Sequence, residues 1–167
     1  MPPLNEQESE ARSEFTIQIA DQQTTLETPL DEIQGVARLI LLDAGVKRAL
    51  LSIAVVDDPT IRLIHNEYLG VDEATDVVSF PLDDGEDEAY VEGEIVVSSD
   101  TAVRGAEQYG GTPLDELILY IVHGLLHLVG YDDHDPDERR TMREREAYYM
   151  QGLGRHYANA DTINREE

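Results

Sequence analysis

Three of the five histidines in this 167-residue chain lie in the run His123-Gly-Leu-Leu-His127-Leu-Val-Gly130-Tyr-Asp-Asp-His134. His123 and His127 stand four residues apart, which on a helix brings both imidazoles to one face and within reach of one ion. Gly130 can adopt a positive φ and turn the chain back, so a side chain just beyond it can complete a three-ligand set. Three protein ligands with a fourth position open is the layout of a catalytic zinc site. Cysteine is absent, which excludes disulfides, thiolate sites and thiol nucleophiles, so a metal must be held by histidine and carboxylate. As plain core residues, two histidines among Leu117, Ile118, Ile121, Leu125, Leu126 and Val129 would be costly without partners. A zinc peptidase with this spacing carries glutamate directly after the first histidine as its base. Here that position is Gly124, and the peptidase reading loses its proton acceptor.

The elements that must position these residues follow from periodicity and punctuation. Leu114 to Val129 reads as the most apolar helix, opened by Thr112-Pro113, with Asp115 and Glu116 in its first turn and Gly130 as its stop. Asp135-Pro136 opens a charged helix to about Gln151. Upstream, Phe15 to Ile19, Leu50 to Val56, Thr75 to Leu82 and Glu94 to Ser98 read as strands. Between them lie helices over Leu30 to Ala44 with Thr28 as N-cap, from Asp58-Pro59 to Gly70, and to Tyr109 with Asp100 as cap. The expected class is α+β: one mixed sheet of about four strands packed against about five helices, with the metal site on the long apolar helix and the turn after it. Residues 1–13 read as a disordered acidic tail, 14–154 as a single metallo-hydrolase domain, 155–167 as a frayed C-terminal tail, and Asp83 to Glu88 as a solvated acidic loop.

Length allows one domain with a full core, and no apolar run is long enough for a membrane span. No export signal is evident, so a cytoplasmic location is expected. The formal charge is −24. Nucleic-acid binders usually carry a basic footprint, so this balance favours a basic partner over a bare phosphate backbone.

The run from His123 to His134 resembles the YbeY family of single-strand-specific endoribonucleases and rRNA maturation factors, whose pattern is H-G-x-L-H-L-x-G-Y-D-H. Two upstream segments are similar as well: Asn66-Glu-Tyr68-Leu-Gly70-Val-Asp72-Glu-Ala-Thr75-Asp76-Val-Val-Ser79-Phe80-Pro81, and Gly93-Glu94-Ile95-Val96-Val97-Ser98. The resemblance runs in order from about Leu51 to Tyr149. It implies one Zn2+ per chain, hydrolysis of single-stranded RNA, maturation of small-subunit (16S) rRNA, ribosome quality control, and contact with the small subunit and a basic ribosomal protein. The alternative is a ribosome-associated binding factor with a structural zinc and no catalysis of its own. The family's third histidine falls six residues after the second, where this chain has Asp133, with His134 one place later. The expected ligands are therefore His123, His127 and His134, the loop absorbing one extra residue, with Asp133 as the oxygen-donor alternative. Many members carry arginine where this chain has Leu69, which leaves Arg62 and Arg104 as substitutes for contacting phosphate. Asp132, Asp133 and Asp135 are candidates either to orient a ligand imidazole or to cap the next helix.

Overall fold

The computed structural model describes residues 13–158. Four strands, β1 (Glu14–Asp21), β2 (Arg48–Val56), β3 (Val77–Pro81) and β4 (Tyr90–Ser98), form one sheet in the order β1-β2-β4-β3. β1 and β4 run parallel to β2, and β3 returns antiparallel to β4. Five helices accompany them: α1 (Leu30–Asp43), α2 (Asp58–Leu69), α3 (Ser99–Tyr109), α4 (Pro113–Leu128) and α5 (Pro136–Gly152). The class expected from the sequence is therefore the class observed. Of the acidic tail expected over 1–13, residues 1–12 lie outside the described residues, as does the end of the chain from 159.

Alternation along the strands sends Leu51, Ile53, Val55, Ile95 and Val97 into the main core, where α1, α4 and α5 cover them. The opposite face carries Val56, Val78 and Val96, closed by Ile61 and Ile64 of α2. The two faces are unequal, and α4 belongs to the thicker side. Twelve of its sixteen residues, 115 to 126 without a break, are buried. Such continuous burial is possible because Gly124 has no side chain: a Cβ there would meet Ile95 at 3.1 Å and Val77 at 3.2 Å. The position where a peptidase would keep its glutamate thus faces the sheet and has no room for one.

The start of α4 is fastened twice. Thr112 Oγ1 accepts from the Asp115 backbone N–H (3.1 Å) while an Asp115 carboxylate oxygen accepts from that of Thr112 (2.9 Å), a capping box. Arg155 then bridges Asp115 (3.0 Å) and Glu32 of α1. Residues 155–158, read from the sequence as the start of a frayed tail, are held in part by this bridge, because Arg155 finds two carboxylates on two helices. Burial opposes ionisation of Asp115, but Thr112 and Arg155 outweigh it and hold the carboxyl below its ordinary range. A lowered value stabilises the fold above the ordinary carboxylate range, and that contribution is lost as pH falls through the lowered value.

Two caps differ from expectation. Pro29, not Thr28, occupies the cap position of α1 and provides no side-chain bond, while Thr28 accepts from Gln23. Ser98, not Asp100, caps α3 through the Thr101 N–H, because Asp100 is already engaged by the backbone N–H of Asp58 (2.9 Å).

Removing the Thr112 hydroxyl should cost about 1 kcal/mol. Thr112→Ala is thus expected to lower the melting temperature by roughly 2–4 °C in a domain of this size, read by thermal denaturation. For Arg155→Met, the loss measured by urea unfolding at neutral pH should shrink as the pH falls through the lowered range of Asp115, where the carboxylate that the guanidinium answers takes up its proton.

Candidate metal centre

The last turns of α4 deliver two imidazoles side by side. His123 and His127, one turn apart, have their Nε2 atoms 3.0 Å from each other, with His123 buried and His127 partly exposed. The helix then closes with a Schellman arrangement: Gly130, at φ 111°, donates to His127 O (3.1 Å) and Tyr131 donates to Leu126 O (3.0 Å). A side chain at 130 would be strained at this φ, so glycine is what lets the chain double back over the histidines.

Three residues later the returning chain presents Asp133. Its Oδ2 lies 3.8 Å from His123 Nε2 and 3.7 Å from His127 Nε2. Among the described residues, His123, His127 and Asp133 are the group close enough for one ligand atom from each to meet a single ion. For zinc–ligand bonds of about 2.0–2.1 Å in a tetrahedron, neighbouring ligand atoms stand roughly 3.3–3.4 Å apart. The three observed separations bracket that value, and two imidazole nitrogens with a carboxylate oxygen are donors zinc accepts. The residues fit the ion.

His134, the third ligand expected from the sequence, lies outside this group. Its side chain is 81% exposed, and its Nε2 stands 3.8 Å from Asp132 rather than beside the histidine pair. The backbone explains the difference. Asp135 caps α5 by accepting from the Glu138 N–H (2.8 Å), the His134 N–H is drawn to Glu138 (3.2 Å), and Arg139 donates to the carbonyls of Asp133 and His134. With residues 133–135 pinned to the start of α5, Asp133 faces inward and His134 outward. Asp132 stands 3.8 Å from His127 Nδ1, on the side away from the pair.

One participant was not singled out in the sequence. Glu146 of α5 is fully buried, with its Oε2 3.6 Å from His123 Nδ1. The signal was a charge on an apolar stripe, since Met142, Glu146, Tyr149 and Met150 share the buried face of α5. The substitutes considered for phosphate contact are engaged elsewhere: Arg62 pairs with Asp72 (2.8 Å), and Arg104 with Asp58 (2.6 Å). Leu69, at the position of the family's arginine, is exposed at the end of α2. His65 and His156 bond to backbone carbonyls of Glu73 and Tyr109.

Fold and site together define a class: an α+β domain whose central buried helix ends in a histidine pair and a carboxylate suited to a divalent cation. The chain belongs to the endoribonuclease YbeY family, whose model matches residues 14–154. The endoribonuclease YbeY of Rhodopirellula baltica is 39% identical over 131 residues, covering 77% of this chain and 66% of that protein. That of Carboxydothermus hydrogenoformans is 38% identical over 128 residues, covering 77% of this chain and 88% of its own. In fold alone, the chain is similar to a Thermotoga maritima protein solved in solution, with a TM-score of 0.60 at 21% identity over 83% of this chain and 92% of that one.

Titration of the metal-free chain with zinc is expected to reach one equivalent. Asp133→Ala should weaken binding more than His134→Ala does, measured by competition with a chromophoric chelator. The reverse order would return the third place to His134.

Proposed function

We propose that this chain is a zinc-dependent, single-strand-specific endoribonuclease of the cytoplasm, acting in small-subunit rRNA maturation and ribosome quality control. The observation that carries the reading is the convergence of His123, His127 and Asp133, in a chain of the endoribonuclease YbeY family. In this reading the three side chains hold the ion, with Asp133 taking the place expected for His134.

When bound, such an ion supplies Lewis acidity that offsets the charge developing on a phosphodiester in its transition state. The protein's share is positional. His123 and His127 bring their Nε2 atoms to one point because one helix turn separates them, so both could hold the ion there. Asp133 adds a negative donor from the opposite side, carried there by the turn at Gly130. His127 and Asp133 are partly exposed while His123 is covered, so substrate reaches the centre from the His127 and Asp133 side.

A second reading is favoured by the surroundings of the turn. A hollow of about 380 Å³ is lined by Gly130, Tyr131, Asp132, Asp137, Glu138 and Thr141, and another of about 450 Å³ includes Asp83, Asp87 and Glu88 with Leu128 and Gly130. Acid on both sides suits a basic protein better than bare RNA. In that reading the chain is a ribosome-associated binding factor with a structural zinc.

Zinc-loaded protein should cleave a labelled single-stranded RNA and spare the matching duplex, and His127→Ala should abolish the cleavage. Cleavage that is unchanged in His127→Ala would refute the reading. An inactive parent that still binds small subunits, with or without His127, would favour the binding factor.

A further inference from the structure

α5 is strongly charged, with Pro136-Asp-Glu-Arg-Arg in its first turns, yet its buried face carries Glu146 among Met142, Tyr149 and Met150. A carboxylate without solvent exposure is expensive unless its charge is answered. Arg143, one turn earlier, answers it: a single guanidinium nitrogen lies 2.8 Å from Oε1 and 3.1 Å from Oε2. A methionine at 146 would continue the stripe without needing an arginine at all. The carboxylate therefore does something an apolar residue would not, and its other neighbour is His123. Oε2 stands 3.6 Å from Nδ1, while the same ring's Nε2 faces His127 and Asp133. The two nitrogens of one imidazole thus face two different carboxylates, one buried and one at the cluster.

The geometry points to Glu146, steadied by Arg143, as the positioning residue that fixes the ring and tautomer of His123, keeping the proton on Nδ1 and the Nε2 lone pair directed at the cation. The inference rests on the metal reading above. At 3.6 Å the contact is electrostatic, and a ring shift of about half an ångström turns it into a hydrogen bond donated by Nδ1–H. A carboxylate behind a ligating imidazole raises the basicity of the ligating nitrogen and restricts its rotation. Glu146 touches neither substrate nor ion in this arrangement. Its effect passes entirely through His123.

The test compares the parent with Glu146→Gln and with Tyr149→Phe, which removes a bond to Asp43 from the same helix and leaves the cluster alone. Zinc affinity is read by chelator competition after circular dichroism has established the fold. Glu146→Gln is expected to bind roughly 10–100-fold more weakly, while Tyr149→Phe keeps the parent's affinity. A second measurement uses the unaltered chain: two-bond nitrogen–proton correlations of His123 should show Nδ1 protonated, both metal-free and zinc-loaded. Should Glu146→Gln fail to fold, that spectrum decides. Parent-like affinity in Glu146→Gln, or an unprotonated Nδ1 in the parent, overturns the assignment. A parent that takes up no zinc ends the metal reading and this one with it, whereas zinc uptake that is indifferent to Glu146 ends this one alone.

Discussion

The rest of the structure depends on the burial of α4. A helix covered by β3 and β4 below, α1 and α5 at its sides and α3 across it has no polar face to spend, and from Leu117 to Val122 its side chains offer one polar group, the Tyr120 hydroxyl, which donates to Thr101 O. Each fully buried Leu or Ile there contributes roughly 1.5–3 kcal/mol of transfer free energy, so the helix is held by its whole surface. Two consequences follow for the site. The spacing of His123 and His127 is set by a rigid element, and the polar residues of α4 are confined to its ends, where side chains from other elements can answer them. Gly124 is part of the same constraint, because it lets the helix lie close on Ile95 and Val77.

Electrostatics reinforces the placement. The C-terminal end of α4 carries the negative pole of its peptide dipoles, and Asp132, Asp133 and the buried Glu146 stand around the same turn. The guanidinium groups nearby are committed, Arg143 to Glu146 and Arg139 to backbone carbonyls. This is a field that concentrates cations. The same field, in a chain of net charge −24, opposes a polyanion at long range, and the opposition weakens as salt screens it.

The long helix, its histidine pair and the glycine stop were legible in the sequence because each rests on a local rule: apolar periodicity, four-residue spacing, positive φ after a helix. Sheet and helix count were legible for the same reason. The third member of the cluster was not. Whether Asp133 or His134 turns inward depends on how the backbone of 133–135 is captured by Glu138, Asp135 and Arg139, a competition among neighbours that residue types alone leave undecided. Thr28 and Asp100 show the same thing at helix starts: Thr28 has the right chemistry for a cap, but its hydroxyl is taken by Gln23, and Asp100 by the N–H of Asp58. Glu146 was visible as a charge on an apolar stripe, but its meaning required knowing that the stripe packs against His123. β4 begins four residues before its expected start, at Tyr90, since pairing with Arg48 and Ala49 extends the strand beyond its own apolar run.

Arg155 gives this arrangement a mechanical property. The chain leaves the far end of α4 at Gly130, returns along α5, and is tied by Arg155 to Asp115 at the beginning of α4 and to Glu32 of α1. α4 and α5 thus form a closed loop of about one helix length, latched at the end opposite the histidines. A force or fused domain pulling on the segment after Gly152 loads that latch first. A handle for immobilisation or purification attached there would pull on the latch before it reached the histidine cluster at the opposite end of α4.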